Sequence, residues 1–296
     1  MRILITGTTG QLGRELKRGL AVLGTPLCPD RQTLNLAKPD SLQAYLDAEE
    51  PELIVNPAAY TAVDKAETDL DDCTAVNADS PGVMARWCAQ HDVAMLHFST
   101  DYVYPGSGSR PFSETDATGP VNTYGRSKLA GEQAVLDSGA AALIFRTSWV
   151  YDAIGKNFLS TMLRLAETMP SLRVVDDQIG APTHARALAD ACLVILGKTG
   201  TTADALMPVK GVYNMANSGE VSWHGFAVAI MQLRHQLTQT PSPSVEAITT
   251  EQFPTPAARP ANSRLAMSKL NATFGIKMPT WQQSLEQAMA DRISVS

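Results

Sequence analysis

Apolar residues in the first half of the chain fall into two alternating patterns. Ile3-Leu4-Ile5, Leu53-Ile54-Val55, Val93 to Phe98 and Leu143-Ile144-Phe145 are short, nearly unbroken hydrophobic runs. Such runs suit strands buried on both faces of a parallel sheet. Between the first two, Leu12, Leu16, Leu20 and Leu23 recur at helical spacing, with Gly24 as the expected C-cap. A more polar helical stretch runs from about Asp72 to His91. Strand, helix and strand in repeated succession predict right-handed βαβ units, and hence an α/β fold: a Rossmann-like, doubly wound parallel sheet.

Beyond about Val150 the rhythm loosens. Pro241, Pro243, Pro254, Pro256 and Pro260 crowd one segment, which predicts a loop or crossover rather than further regular elements. Helices are expected on either side of it. Ser222 precedes a stripe of Phe226, Ile230, Leu233 and Leu237, and Thr280 with Gln283 forms a capping box ahead of Leu285, Met289 and Ile293. The expected division is a sheet domain over 1–150, with segments returning at about 174–218. A smaller C-terminal lobe then comprises 151–173 and 219–296.

Composition narrows the class. With 296 residues, 44% of them hydrophobic and 18% charged, the chain buries enough surface to need neither disulfides nor a structural metal. The net charge of -6 argues against nucleic acid as a partner. No apolar run approaches a membrane span, and the N-terminal apolar run is too short for a signal segment. Cys28, Cys73, Cys88 and Cys192 form no CxxC pair, so a reduced, cytoplasmic protein is expected.

Gly7, Gly10 and Gly13 follow the first strand and open the first helix as G-x-x-G-x-x-G. Glycines there let the chain turn tightly and let a pyrophosphate lie against amide groups at the helix's positive end. Asp30, near the end of the expected second strand, suits an adenosine ribose 2′-hydroxyl, whereas the adjacent Arg31 suits a 2′-phosphate. NAD and NADP both remain open on these residues.

Tyr124 and Lys128 are spaced i, i+4 and share a helix face. An ammonium beside a phenol favours the phenolate, which tunes tyrosine for proton exchange with an alcohol or carbonyl. Alone this pair is weak evidence. Ser99-Thr100-Asp101, however, follows directly on a strand, at the carboxyl edge where doubly wound sheets bind ligands.

Glycine loop, strand-end Ser/Thr and Tyr-x-x-x-Lys in this order resemble the extended short-chain dehydrogenase/reductase superfamily. Longer blocks are more specific. Thr100-Asp101-Tyr102-Val103-Tyr104, Arg146-Thr147-Ser148-Trp149-Val150-Tyr151, Asp177 to Thr183 and Arg259 to Leu265 are similar to those of the dTDP-4-dehydrorhamnose reductase family. That resemblance implies NAD(P)H-dependent reduction of the 4-keto group of a dTDP-6-deoxyhexulose to dTDP-L-rhamnose. It implies Tyr124 as general acid, Lys128 as its partner and ribose contact, and Thr100 as a hydrogen-bonding group on the same oxygen. Gly7, Gly10, Gln11, Leu12, Gly13, Asp30, Arg31, Ala58, Ala59, Tyr60 and Phe98 fall where the family lines its cofactor. Asp101, Trp149 and Arg259 fall at substrate positions, with Arg264 a second arginine for the diphosphate. The lobe would then be the nucleotide-sugar side.

Some members carry Mg2+ at a dimer contact through acidic side chains. Glu15 is present here, but Arg186 stands at another of those positions, which argues against the metal and equally against a homodimer formed by that route. Two rival activities share the fold. A nucleotide-sugar epimerase or dehydratase is one, and dehydration is disfavoured because Tyr102 stands where the Thr-Asp-Glu pattern has its glutamate. A non-catalytic dinucleotide-binding subunit is the other, and the intact Thr100, Tyr124 and Lys128 speak against it. The five histidines, His91, His97, His184, His224 and His235, form no cluster in the sequence.

Overall fold

The computed structural model describes residues 1–295, with side chains through Arg292. Six parallel strands form the central sheet: β1 (Arg2–Ile5), β2 (Thr25–Leu27), β3 (Leu53–Asn56), β4 (Ala94–Thr100), β5 (Ala142–Thr147) and β6 (Gly211–Asn214). Their spatial order is β6-β5-β4-β3-β1-β2. The chain leaves β1 in one direction to make β2 and returns past it to make β3. Ligands of open α/β sheets lie at such a switch point, outside the strands' carboxyl ends.

Strand periodicity assigns the two faces. Ile3, Ile5, Leu53, Val55, Leu96, Phe98, Leu143 and Phe145 point to one side. There they pack on α1 (Gln11–Leu20) and the later helix Ala185–Thr199. Leu4, Ile54, Met95 and Ile144 point to the other, against Leu42 and Leu46 of the helix Leu42–Glu49 and Met84 and Trp87 of the helix Ser80–Gln90. A third apolar cluster, from Tyr151, Leu159, Phe226, Ile230, Trp281, Leu285 and Met289, is separate from both. Leu270, Phe274, Ile276 and Met278, although late in the chain, pack into the first cluster.

Several expectations are refined. Helix α1 ends at Leu20 with Ala21 as C-cap, so Leu23 and Gly24 belong to the turn into β2. The stretch expected from Asp72 to His91 is helical from Leu70 to Gln90, with a π turn, Ala75–Asp79, in its middle. The proline-rich segment contains a strand after all: Ser244–Ile248 pairs in parallel with Ser171–Val175. Pro241 and Pro243 precede it and Pro254 follows, so no ladder position loses its N–H. Ser222 caps the helix Trp223–Thr238 through the amide of Gly225. Phe226 and Ile230 are buried on it, while Leu237 is exposed. Thr280 and Gln283 exchange the hydrogen bonds of a capping box. The side chain of Ile293 lies outside the described residues. Among the described residues, no helix is long and apolar enough to cross a membrane.

Candidate active site

The glycine loop stands at the switch point, and its sequence is dictated by close approach. Gly7 has φ +58°, and a Cβ on it would lie 2.9 Å from the methyl of Ala58. A Cβ on Gly13 would lie 2.2 Å from the Gly7 carbonyl oxygen. The loop therefore presses both on the turn after β3 and on the helix it opens. Gly10 is the N-cap of α1, and no side chain caps the first-turn amides. This is a cradle for an anion at a helix N-terminus.

Two neighbouring clefts run along the carboxyl edge from this loop. One, of about 330 Å³, is lined by Gly7, Asp30, Arg31, Ala58, Ala59 and Tyr60. The other, of about 670 Å³, is lined by Gly7, Gly10, Gln11, Leu12 and Gly13 at one end, and by Thr100, Asp101, Tyr124, Lys128 and Trp149 further along. Phe98 borders the second cleft, though its ring packs on Phe145 in the core. Asp30 is partly committed: its Oδ1 accepts from the amides of Gln32 and Thr33, which hold its carboxyl below the usual range. Arg31 is exposed and, among the described residues, makes no ion pair.

Thr100 ends β4, and Tyr124 and Lys128 lie in the first turns of the helix Thr123–Asp137, capped by Asn122 on the amide of Gly125. Lys128 Nζ donates to the Phe98 carbonyl at 2.7 Å, which pins the helix to the end of β4. Electrostatics depart from the expectation for the pair. Burial pushes the Tyr124 phenol well above its ordinary value, partly offset by the neighbouring Thr100 hydroxyl. The same burial brings the Lys128 ammonium down to about 8, with Glu132 opposing it. Desolvation penalises both charged forms, and sequence spacing does not register it.

The Thr100 hydroxyl donates to Asp101 Oδ1 at 3.0 Å and accepts from the Tyr102 amide. Asp101 is 3% exposed. Burial raises its carboxyl to about 6, against the lowering influence of the nearby Ser263 and Thr100 hydroxyls. Trp149 adopts φ +49° and stacks on Trp223, with ring centroids 3.7 Å apart at 11°. The two arginines are already paired. Arg259 Nη2 meets Asp64 at 2.8 Å, and its charge acts on the nearby Tyr102 phenol. Arg264 is held by Glu220 and Asn262.

Sequence reasoning missed several residues that shape the site. Asn77, in the π turn, bonds both the amide and the carbonyl of Tyr60 and reaches Ser127 on the Tyr124 helix. Trp223 and Lys156 also line the larger cleft. Arg14 meets Asp152, which also faces His184. His97 is buried beneath the edge, bonded to Asn56 and lowered far below its ordinary pKa by burial.

The acidic positions tied to Mg2+ by the resemblance do not fit a divalent cation. Arg186 itself stands at one of them and lies between two carboxylates, with Nε 3.1 Å from Glu15 and Nη1 2.6 Å from Asp291, and Arg18 also bonds Glu15. A guanidinium supplies the positive charge there, and no step of the chemistry is routed through a metal.

A glycine loop at the switch point, with Thr, Tyr and Lys converging beside it, defines a Rossmann-fold oxidoreductase of the extended short-chain dehydrogenase/reductase type. The comparisons with known proteins agree. The RmlD substrate binding domain profile matches residues 1–293. A curated dTDP-4-dehydrorhamnose reductase of Burkholderia thailandensis is 43% identical, covering 99% of this chain and 100% of that one. A Clostridium acetobutylicum dTDP-4-dehydrorhamnose reductase structure superposes with TM-score 0.90 at 34% identity, covering 99% of this chain and 100% of that one. The Bacillus anthracis enzyme in complex with NADP gives 0.88 at 32%, covering 98% and 99%. The chain belongs to the dTDP-4-dehydrorhamnose reductase family.

Proposed function

We propose that this protein reduces the 4-keto group of dTDP-4-dehydro-6-deoxy-L-mannose to dTDP-L-rhamnose, using NADPH or NADH. The observation that carries the proposal is the meeting of Thr100, Tyr124 and Lys128 in one cleft with an uncapped glycine loop. Gly7, Gly10, Gln11, Leu12, Gly13, Ala58, Ala59, Tyr60 and Phe98 would hold the dinucleotide, with Asp30 and Arg31 at its adenosine end. When bound, the reduced nicotinamide supplies the hydride. Tyr124 gives its proton to the oxygen at C4 as negative charge develops there. A raised phenol pKa suits this direction, because the proton is in place before reaction and the alkoxide is the far stronger base. Lys128 stays near the phenol and offers its charge to the ribose. Thr100 has one hydroxyl proton; turning it from Asp101 to the substrate oxygen adds a fixed donor where charge develops. Asp101, Trp149 and Arg259 would face the sugar nucleotide, whose side of the cleft falls to 151–173 and 219–296.

The test is a coupled assay with dTDP-glucose and the upstream dehydratase and epimerase. Net NADPH oxidation matched by dTDP-rhamnose is expected. An epimerase or a dehydratase recycles its nicotinamide, and a regulatory subunit turns nothing over, so absence of net oxidation would overturn the proposal. Tyr102, edge-on to Tyr124 at 5.6 Å, stands where a dehydratase needs a carboxylic acid, which supports reduction.

The contact to the cofactor's 2′-phosphate can be assigned by one substitution. Asp30 spends an oxygen on its own turn, whereas Arg31 is exposed beside the smaller cleft. A charged hydrogen bond contributes about 1.5–3 kcal/mol, so Arg31→Ala raises the KM for NADPH at least about tenfold. The KM for NADH should stay within about twofold. Equal shifts for both cofactors would remove Arg31 from that role.

A further inference from the structure

Trp149 is a bulky residue in the left-handed region, where side chains other than glycine are strained, and such a conformation persists only when its surroundings dictate it. Three contacts do so. Its carbonyl accepts from the Thr183 amide at 3.1 Å. Its indole lies against the backbone of Gly180, where a Cβ would come within 2.8 Å of the ring. Trp223 stacks on it, nearly parallel at 11°.

Trp223 is itself held from several sides. It is the first residue of the helix Trp223–Thr238, directly after the capping Ser222, whose hydroxyl also bonds Asp176. Phe158 packs on its ring at 4.6 Å. The two residues before it, Val221 and Ser222, pair antiparallel with Ile179 and Gly180. One short ribbon therefore carries both the glycine against which Trp149 rests and the indole that stacks on it. Trp149 comes from the end of the sheet, Trp223 from the third apolar cluster, and the two line the same cleft as Thr100, Asp101 and Tyr124.

We propose that Trp223 is a positioning residue for the sugar. It holds the Trp149 indole as a rigid apolar platform opposite the polar wall of Thr100, Asp101 and Tyr124. A 6-deoxyketohexose matches that division, with hydroxyls and the keto oxygen on one edge and C–H groups and a methyl on another. The inference rests on the reductase reading of the site. Its chemistry is that of aromatic stacking, which preorganises a surface without contacting the reacting atoms.

The test compares Trp223→Phe, Trp223→Leu and Trp223→Ala in the full enzyme. Loss of the stack in the Leu and Ala variants raises the KM for the 4-keto sugar nucleotide about tenfold, with the KM for NADPH unchanged. Trp223→Phe keeps a ring and recovers most of the difference. Stacked indoles also couple excitonically. The ultraviolet circular dichroism couplet of the wild-type protein should vanish in Trp223→Phe and in Trp149→Phe, and should change when dTDP-rhamnose is added to the wild type. If Trp223→Ala does not fold, Trp223→Leu carries the kinetic arm. A sugar KM within twofold of wild type in a folded Leu or Ala variant overturns the proposal, as does a couplet indifferent to dTDP-rhamnose. Lack of turnover by the wild-type protein would instead refute the reductase reading, and is scored separately.

Discussion

Replacing Tyr124 with phenylalanine lowers kcat about 10²- to 10⁴-fold, the usual contribution of a positioned general acid. The substitution removes one oxygen and little else. The ring keeps its edge contact with Tyr102, the Thr100 hydroxyl keeps Asp101 as acceptor, and Lys128 keeps the Phe98 carbonyl. Thermal stability and NADPH affinity should therefore match the wild type. The wild-type pH profile gives an independent check. Burial keeps Tyr124 protonated through the neutral range, so it contributes no inflection there. Lys128, lowered to about 8, is cationic below that pH and neutral above it, so a rate that needs its charge falls as pH rises through about 8. Near-normal turnover by Tyr124→Phe would remove tyrosine as the proton donor. A kcat flat from pH 6 to 10 would remove the dependence on lysine charge.

What could be read from the sequence was local. Gly7, Gly10 and Gly13 share one loop, Thr100 sits directly at a strand end, and Tyr124 and Lys128 are four positions apart, so local geometry alone places each group on its turn, strand end or helix face. The sheet was legible for a similar reason. Leu53-Ile54-Val55 and Leu143-Ile144-Phe145 are apolar on both faces, which only a covered parallel sheet accepts. The residues that escaped are joined across long stretches of chain. Trp223 meets Trp149 only because Val221 and Ser222 pair with Ile179 and Gly180. Arg14 meets Asp152 across 138 positions. Asn77 looks like any polar residue of a helix until the π turn aims it at Tyr60 and Ser127. Burial was invisible in the same way. It reversed the expected direction for the Tyr124 phenol, because desolvation dominates there and the Thr100 hydroxyl offsets it only in part. The strand Ser244–Ile248 was hidden by the prolines around it, which bound the strand rather than break it.

Arg146→Met should destabilise the protein by about 3–5 kcal/mol, the typical result of leaving one member of a buried ion pair alone. Arg146, next to last in β5, is 5% exposed, and Glu132, on the Tyr124 helix, is 1% exposed. The guanidinium reaches both carboxylate oxygens, through Nε at 2.9 Å and Nη2 at 2.6 Å, and donates to the Tyr104 hydroxyl through Nη1. Methionine fills much of the volume but leaves the Glu132 carboxylate without a counter-charge in the core. Pairing Arg146→Met with Glu132→Leu should restore most of the loss, since an apolar replacement of a buried pair is often neutral. Chemical denaturation of the two single variants and the double variant checks this, and a single-variant loss below about 1 kcal/mol would show that the pair is dispensable. The link to catalysis is direct, because Glu132 is one helical turn from Lys128 and already raises its pKa. Without Arg146 to share it, the Glu132 charge acts more strongly on Lys128. The lysine's pKa rises above about 8, and the alkaline limb of the rate profile moves to higher pH. The same substitution thus separates the fold from the chemistry: denaturation reads the lost pair, and the pH profile reads the carboxylate it leaves behind.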